Sequence, residues 1–403
     1  MASYERFLVK RDDLSHAVRE RLKRLPAPYE AHYGVVPLPP PEDAIAVGPV
    51  QQRHSAAMAA LGKVEMLATD LSDPYLISRI LPRREAVSSS AIEGTNSTLD
   101  ELLSVEEAED SCAGEDTVQV RDYALTLEKL LPRAREKGRA VFTADLPGEL
   151  HRSVMAGDPD YRDVPGALRQ VVVWIGGRDI AYSTYNPTPP DDVPFCLAES
   201  MAYMQGEGMQ VMQQSLITRM AVAHTHFEAV HPFRDGNGRV GRLLLPLMMA
   251  AEGNVPLYLS PYIEAHKDAY YDGLKAAQQR LDWPKMIGFL SDAITGTADE
   301  LFATRGALAA LVDLWSARRR FRKGSGALRA LSVLPHYPVI TIGRLAALLD
   351  ITFPAARQAM VQLMEAGIVT ERTGYSRNRV FVASEALSVI NRPFGAQPVL
   401  PET

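Results

Sequence analysis

A glycine-rich turn between two helical segments is the feature that most constrains this chain of 403 residues. Apolar residues recur at helical spacing over residues 216–229 and again over residues 239–251. The connecting loop therefore lies at the N-terminus of a helix, where Gly236, Asn237 and Gly238 tolerate positive φ. The loop reads His231-Pro232-Phe233-Arg234-Asp235-Gly236-Asn237-Gly238-Arg239.

The residue types in this loop indicate chemistry on a phosphate. Backbone amides that converge at a helix N-terminus form an anion site. Arg239 and Arg242 are one helical turn apart, so both can reach the same polyphosphate. Asp235 supplies a carboxylate oxygen suited to Mg²⁺. His231 can accept a proton from a hydroxyl near neutral pH, and together these residues predict phosphoryl-type transfer.

Each of these features has a simpler interpretation when it is taken alone. A glycine-rich turn between helices is more often only a turn. A single histidine such as His231 is more often a helix cap or a core side chain. The functional hypothesis therefore depends on the complete string and its order.

The string from His231 to Arg242 resembles the signature of the Fic family of protein adenylyltransferases. The resemblance implies that His231 is the general base and that Asp235 holds Mg²⁺, with Mn²⁺ as an alternative metal. It implies ATP as substrate, and that Phe233 anchors the loop in the core. The expected phosphate-binding residues are Arg234, Gly236, Asn237, Gly238, Arg239 and Arg242. Glycine at position 238 leaves room for a departing diphosphate, which favours nucleotidyl transfer.

A hairpin is predicted upstream of the loop. Residues 171–175 and 180–184 read as two strands around Gly176-Gly177. The preceding Pro165-Gly166-Ala167-Leu168-Arg169 resembles the element before the family's flap, whose strand edge would register an extended target segment. Trp174 and Ile175 are the expected flap contacts. The alternative is an ordinary surface hairpin.

Two tyrosines are candidates for contact with the adenine. Tyr270 and Tyr271 resemble part of the family's downstream segment, and a tyrosine ring can pack on a base. The alternative is a core aromatic pair at helical spacing.

An inhibitory helix is predicted at about residues 86–94, because Ser89, Glu93 and Gly94 fit the family's inhibitory pattern. The resemblance implies that Glu93 satisfies Arg242 and occupies the space of the ATP γ-phosphate. The alternative is a helix N-terminus with a capping serine. The same glutamate could also position a water for removal of AMP, so a reversible enzyme stays an open alternative.

The expected fold class is mainly α: a Fic-type helical core with a small β-hairpin flap and a C-terminal winged helix. Helices predicted over residues 328–334, 342–349 and 354–365, followed by a hairpin around the turn Thr373-Gly374-Tyr375, indicate the winged helix. Its arginines, including Arg357, Arg372, Arg377 and Arg379, could contact DNA phosphates, or they could form a solvated face of a module that binds protein. The predicted divisions are 1–116 (N-terminal helical region), 117–302 (catalytic core), 303–326 (linker helix and hinge), 327–388 (winged helix) and 389–403 (tail).

Composition limits the function classes. The net charge of −6 argues against a chain built wholly around nucleic acid. Cys112 and Cys196 fit no metal spacing and no disulfide framework, so we expect a cytoplasmic protein. No apolar run is long enough to span a bilayer, and no membrane association is predicted.

We therefore expect a homodimeric protein adenylyltransferase that acts on a Ser, Thr or Tyr hydroxyl of a target protein or of itself. One alternative is a DNA-binding regulator whose core senses nucleotide or is silent. Another is a transferase with a different donor, such as UTP, GTP or a choline conjugate.

Overall fold

The computed structural model describes residues 13–69, 79–108, 114–207, 213–372 and 379–401. Helices dominate these residues. They are α1 (His16–Glu20), α2 (Gln51–Thr69), α3 (Ile80–Ile92), α4 (Leu99–Ala108), α5 (Glu115–Lys137), α6 (Leu146–Met155), α7 (Val193–Gln205), α8 (Leu216–Val230), α9 (Asn237–Ala251), α10 (Ser260–Ala265), α11 (Lys267–Arg280), α12 (Trp283–Arg318), α13 (Gly326–Leu331), α14 (Ile342–Leu349), α15 (Phe353–Glu365) and α16 (Ser384–Ile390). The strands are β1 (Leu22–Arg24), β2 (Tyr33–Val35), β3 (Val339–Thr341), β4 (Thr370–Glu371) and β5 (Val380–Val382). The mainly α expectation is confirmed.

The chain divides into two compact units. The first comprises the described residues of Met1–Lys63 and Leu125–Thr295, and the second those of Val64–Ala124 and Gly296–Thr403. The linker helix expected from residue 303 is continuous with earlier residues, because α12 runs unbroken from Trp283 to Arg318. The division into five segments stays a prediction. Among the described residues, no helix combines the length and the apolar character that crossing a bilayer would require.

Helices α8 and α9 form the centre of the first unit. Every residue of α8 is buried, which suits a helix that neighbours cover on all sides. Helices α7, α9 and α11 pack against it. Gly241 lies where α9 packs against α8, and a Cβ there would lie 2.4 Å from the Oε1 atom of Glu228.

A β-hairpin that the sequence analysis does not predict lies near the start of this unit. Strands β1 and β2 pair antiparallel, with Leu22 opposite Val35. The amide of Val35 donates to the carbonyl of Asn186 at 3.0 Å, and the side chain of Asn186 donates to the carbonyl of Tyr33 at 3.1 Å. The hairpin is therefore tied to the segment that follows the predicted flap.

The predicted flap is reduced to a single antiparallel β-bridge between Ile175 and Tyr185. The strand expected over residues 180–184 is wrong, because Ile180–Tyr182 form a 3-10 turn. The Asp179 carboxylate caps this turn by accepting from the amide of Ala181 at 2.9 Å. Side-chain capping of this kind competes with strand pairing. The chain still reverses direction here, as expected.

The second unit contains α3, α4 and the C-terminal elements. Helix α14 coincides with its predicted span, α15 begins one residue before it, and α13 begins and ends earlier than expected. Strands β3, β5 and β4 form an antiparallel sheet in that order, and β3 was not predicted. The predicted wing turn Thr373-Gly374-Tyr375, Arg377 and Cys112 lie outside the described residues.

Helix α3 contains the first residue of the predicted inhibitory pattern, Ser89, and ends just before Glu93. It begins at Ile80, so Ser89 does not lie at a helix N-terminus, and the capping alternative is wrong. Ser89 is buried, and Glu93 follows the last helical residue. Gly94 has φ 94°, a left-handed conformation that favours glycine after a helix end.

Candidate active site

Helix α8 ends at His231 in a left-handed conformation. The residue has φ 51° and ψ 63°, and its amide donates to the carbonyl of Phe227 at 2.9 Å. Positive φ is uncommon in a residue other than glycine and is found preferentially at functional sites. The sharp turn starts the loop at this residue and leaves the imidazole partly exposed.

A buried arginine fixes the end of α8. The guanidinium of Arg169 donates to the carbonyl oxygens of His231 at 2.7 Å and Val230 at 3.2 Å. The amide of Arg169 donates to the carbonyl of Pro232 at 3.0 Å. Burial lowers the pKa of Arg169 to about 10, so the side chain stays charged at neutral pH. A cation at this end of a helix also offsets the negative end of the helix dipole.

A reciprocal pair of hydrogen bonds closes the loop. The amide of Phe233 donates to Asn237 Oδ1 at 2.8 Å, and Asn237 Nδ2 donates to the carbonyl of Phe233 at 2.9 Å. Phe233 is fully buried. Because the Asn237 side chain makes both of these bonds, a phosphate contact by this residue would come from its backbone amide.

A histidine that the sequence analysis missed supports the loop from α6. The ring of His151 stacks on Phe233 with 3.9 Å between centroids. Its Nδ1 accepts from the amide of Gly166 at 2.8 Å, so its Nε2 carries the proton and donates to the carbonyl of Asp235 at 3.0 Å. Burial lowers the pKa of His151 to about 4, which keeps the ring neutral. No local signal marks this residue.

Helix α9 opens directly after Asp235. Gly236 is its N-cap with φ 75°, and the first bond back into the helix runs from the amide of Val240 to the carbonyl of Gly236 at 3.1 Å. The amides before Val240 therefore point out of the positive end of the helix dipole. Asp235 is exposed at the same end, and one of its oxygens accepts from the amide of Gly236 at 2.6 Å.

The three predicted phosphate-binding arginines lie in two different environments. Arg239 and Arg242 are buried on the first turns of α9. One nitrogen of Arg239 donates to the sulfur of Met155 at 2.9 Å. Arg234 is exposed and pairs with Asp163 at 3.3 Å. Arg239 and Arg242 therefore belong to the buried start of α9, whereas Arg234 faces a neighbouring carboxylate.

The two tyrosines predicted near the adenine differ in burial. Tyr270 is fully buried, and its hydroxyl donates to His224 Nε2 at 2.7 Å. His224 in turn donates from Nδ1 to the carbonyl of Gly241 at 3.2 Å. Burial and the charge of Arg242 lower the pKa of His224 to about 3. These contacts place Tyr270 in the core between α8, α9 and α11, whereas Tyr271 is about half exposed.

The predicted flap residues lie beside the N-terminal hairpin. The rings of Trp174 and Tyr29 are 6.1 Å apart, and Ile175 forms the β-bridge. A groove between the two segments is also lined by Arg234 of the loop that begins at His231. The groove therefore reaches from the flap to the loop.

One carboxylate is available to a metal ion at the loop. Within the described ranges, no three His, Cys, Asp or Glu side chains gather into a metal site. Mg²⁺ commonly uses one or two carboxylates and takes its other ligands from substrate phosphates and water. The exposed Asp235 beside the N-terminus of α9 fits that ligand set.

Comparisons with known proteins agree with this geometry. Residues 51–129 match the family model described as Fic/DOC family N-terminal, and residues 142–249 match the model described as Fic/DOC family. Protein adenylyltransferase fic-1 of Caenorhabditis briggsae is 35% identical over 129 residues, which are 32% of this chain and 23% of that protein. Protein adenylyltransferase Fic of Culex quinquefasciatus is 28% identical over 151 residues, 38% of this chain and 27% of that protein.

The fold comparison covers more of the chain. A crystal structure of a Fic family protein from Desulfovibrio desulfuricans G20 aligns with a TM-score of 0.52 and 20% identity. The alignment covers 86% of this chain and 98% of that one, which shows a shared fold. The chain spans about a quarter of the length of the first two curated relatives.

We predict that Gly236→Ala destabilises the protein more than Gly253→Ala. Both glycines have positive φ, 75° and 79°, but only a Cβ at Gly236 meets a neighbour, the sulfur of Met155 at 2.8 Å. Met155 is fully buried and accepts a hydrogen bond from Arg239, so its displacement disturbs both. Urea denaturation should give Gly236→Ala a free energy of unfolding at least about 1 kcal/mol lower than Gly253→Ala. Equal losses would contradict this account.

We predict that His151 makes folding less favourable in acid. Its pKa is about 4 when folded and near 6.5 when unfolded, so the unfolded state binds more protons between these values. Stability from this group is complete above pH 6.5 and is lost as the pH falls toward 4. Between pH 7 and pH 5, the unfolding free energy should fall by about 2 kcal/mol more in the wild type than in His151→Gln. Parallel pH dependences in urea denaturation would refute the assignment.

Proposed function

The chain belongs to the Fic/DOC family, and from this premise we propose that it transfers AMP from ATP to a hydroxyl side chain of a protein. The observation that carries the proposal is the opening of α9. Two buried arginines lie on the first turns of α9, its first amides point out of the helix, and the partly exposed His231 begins the loop that leads into it. The names of two curated relatives, both protein adenylyltransferases, support the same activity.

His231 is the proposed general base. Its side chain is 19% exposed, enough for a hydroxyl to approach the ring. The imidazole takes the hydroxyl proton while the hydroxyl oxygen attacks the α-phosphorus of ATP. A new phosphorus–oxygen bond to the target forms, the bond to the β-phosphate bridging oxygen breaks, and diphosphate leaves.

The proposed phosphate cradle is the first turn of α9. Arg239 and Arg242 supply guanidinium groups, and the amides of Asn237 and Gly238 supply donors that cost no reorganisation during the reaction, whereas the amide of Gly236 already donates to the Asp235 carboxylate. Glycine at position 238 adds no side chain to obstruct the departing diphosphate. This arrangement stabilises the negative charge that develops on the phosphate oxygens in the transition state.

Asp235 is the proposed ligand of Mg²⁺, with Mn²⁺ as the alternative. When bound, the ion would neutralise charge on the phosphate oxygens beside it. The exposure of Asp235 and its position next to the α9 N-terminus support this role.

Autoinhibition by Glu93 is a second part of the proposal. The pattern Ser89, Glu93 and Gly94 supports it, and so does the match of residues 51–129 to the family's N-terminal model. A glutamate that satisfies Arg242 would compete with the γ-phosphate of ATP. The same residue could serve removal of AMP, which we keep as an alternative.

Ion pairs within the second unit hold the segment that contains the proposed brake. Arg84 of α3 pairs with Glu300 of α12 at 3.0 Å, and both side chains are largely buried. Glu300 also pairs with Arg392 at 2.9 Å. These contacts support a brake that the C-terminal half of the chain keeps in place.

The C-terminal elements are proposed to form a winged helix, which the antiparallel sheet β3–β5–β4 and helices α13 to α15 support. Three of its described arginines form ion pairs within the second unit. Arg372 pairs with Asp100, Arg379 with Glu371, and Arg344 with Glu107 at 3.4 Å. This neutralisation favours a protein-binding or packing role over a DNA contact. The cytoplasmic location and the homodimer stay predictions.

We predict that Glu93→Gly increases AMP incorporation at least about tenfold, because it removes the competitor of the γ-phosphate. Incorporation is measured by incubating the variant with labelled ATP and Mg²⁺ and recording intact mass for an AMP adduct. Adding His231→Ala should abolish the signal, since no base remains, and Glu115→Gly, at the exposed first residue of α5, provides the control.

Unchanged AMP incorporation in Glu93→Gly would refute inhibition by Glu93. AMP incorporation by the double variant would refute the general-base role of His231. Replacement of ATP by GTP, UTP or a choline conjugate in the same assay tests the other donors. Retention on DNA with steep salt dependence, and no adduct from any donor, would favour the regulator.

A further inference from the structure

A buried carboxylate lies beside the proposed base. Glu228 Oε2 is 3.7 Å from Nδ1 of His231, and the Glu228 side chain is 8% exposed. The two residues are three positions apart on α8 and at its end, so they share one side of the helix. Burying a carboxylate is unfavourable unless a charged or hydrogen-bonding group compensates it, and a protonated imidazole is such a group.

The space for this carboxylate depends on α9. A Cβ at Gly241 would lie 2.4 Å from Glu228 Oε1 and 3.2 Å from His224 Cε1. A side chain at this position would enter the space that the Glu228 carboxylate occupies. The Glu228 side chain is thereby confined between the backbone of α9 and the imidazole of His231.

Two arginines lie close to the C-terminal half of α8. The Arg169 guanidinium donates to the carbonyl of His231 at 2.7 Å. On α9, Arg242 is close enough to lower the pKa of His224, one turn before Glu228. His224 itself is kept neutral by burial and by the charge of Arg242. An imidazolium at His231 is favoured by a nearby negative charge.

We propose that Glu228 is a positioning residue that orients His231 and stabilises its protonated form during transfer. The proposal rests on the proposed function, in which His231 is the base. A carboxylate facing Nδ1 favours the tautomer with the proton on Nδ1, so the Nε2 lone pair faces the incoming hydroxyl. When Nε2 takes the hydroxyl proton, the imidazolium forms next to Glu228 and the proton stays on Nε2.

The kinetic test uses Glu228→Gln and Glu228→Asp in the Glu93→Gly background. Glutamine keeps the size of the side chain and removes its charge, so kcat should fall roughly 100-fold. KM for ATP should stay within about twofold, because the phosphate cradle is unchanged. Aspartate keeps the charge and should recover at least about a tenth of the parent kcat. A raised KM with unchanged kcat, or a Glu228→Asp rate no higher than that of Glu228→Gln, would overturn the proposal.

A second readout is independent of activity. In protein labelled with ¹⁵N-histidine, the His231 signals are assigned by their loss in His231→Ala. The wild type should show the proton mainly on Nδ1, and Glu228→Gln should shift it toward Nε2. If the His231 proton stays on Nδ1 in both Glu228→Gln and Glu228→Ala, positioning by Glu228 is refuted, whatever the activity. If the proton moves toward Nε2 in these variants but the protein transfers no AMP, the positioning is supported and the proposed function is rejected.

Discussion

The hydrogen bonds from Arg169 to the end of α8 are the contacts on which the rest of the site depends. The Arg169 guanidinium donates to the carbonyl oxygens of Val230 and His231 and to that of Thr188, which lies far from them in sequence. Hydrogen bonds to a charged donor are stronger than neutral ones, and buried carbonyls are costly to leave without a partner. These bonds offset the strain of a left-handed histidine. The imidazole consequently sits at a fixed point at the start of the loop.

From that fixed point the loop closes by local contacts. The Asn237 side chain hydrogen-bonds both the amide and the carbonyl of Phe233. His151 stacks on the Phe233 ring and donates to the carbonyl of Asp235. These side-chain contacts hold the conformation of the loop, while the first amides of α9 remain directed out of the helix. Electrostatic catalysis works best when donors are held before the substrate arrives. Rigidity here serves the proposed transfer of AMP.

The sequence predicts the parts of this site that are local. Helical periodicity locates α8 and α9 nearly to the residue, and Gly236 marks the turn because it adopts φ 75°. It does not predict His151, whose partner Asp235 lies 84 positions away. The run of valines before Gly176 predicts strands, but the Asp179 cap produces a 3-10 turn where the partner strand would be. Tertiary contacts and side-chain caps determine features such as these, which hydrophobic periodicity does not predict.

The central claim is that the opening of α9 holds the triphosphate of ATP. A crystal structure of the Glu93→Gly variant with Mg²⁺ and a non-hydrolysable ATP analogue tests it most directly. We expect phosphate oxygens within hydrogen-bond distance of the amides of Gly238 and Arg239 and of the Arg242 guanidinium, with Asp235 at the metal. An analogue bound elsewhere at saturating concentration, with this helix end holding only water, would contradict the account.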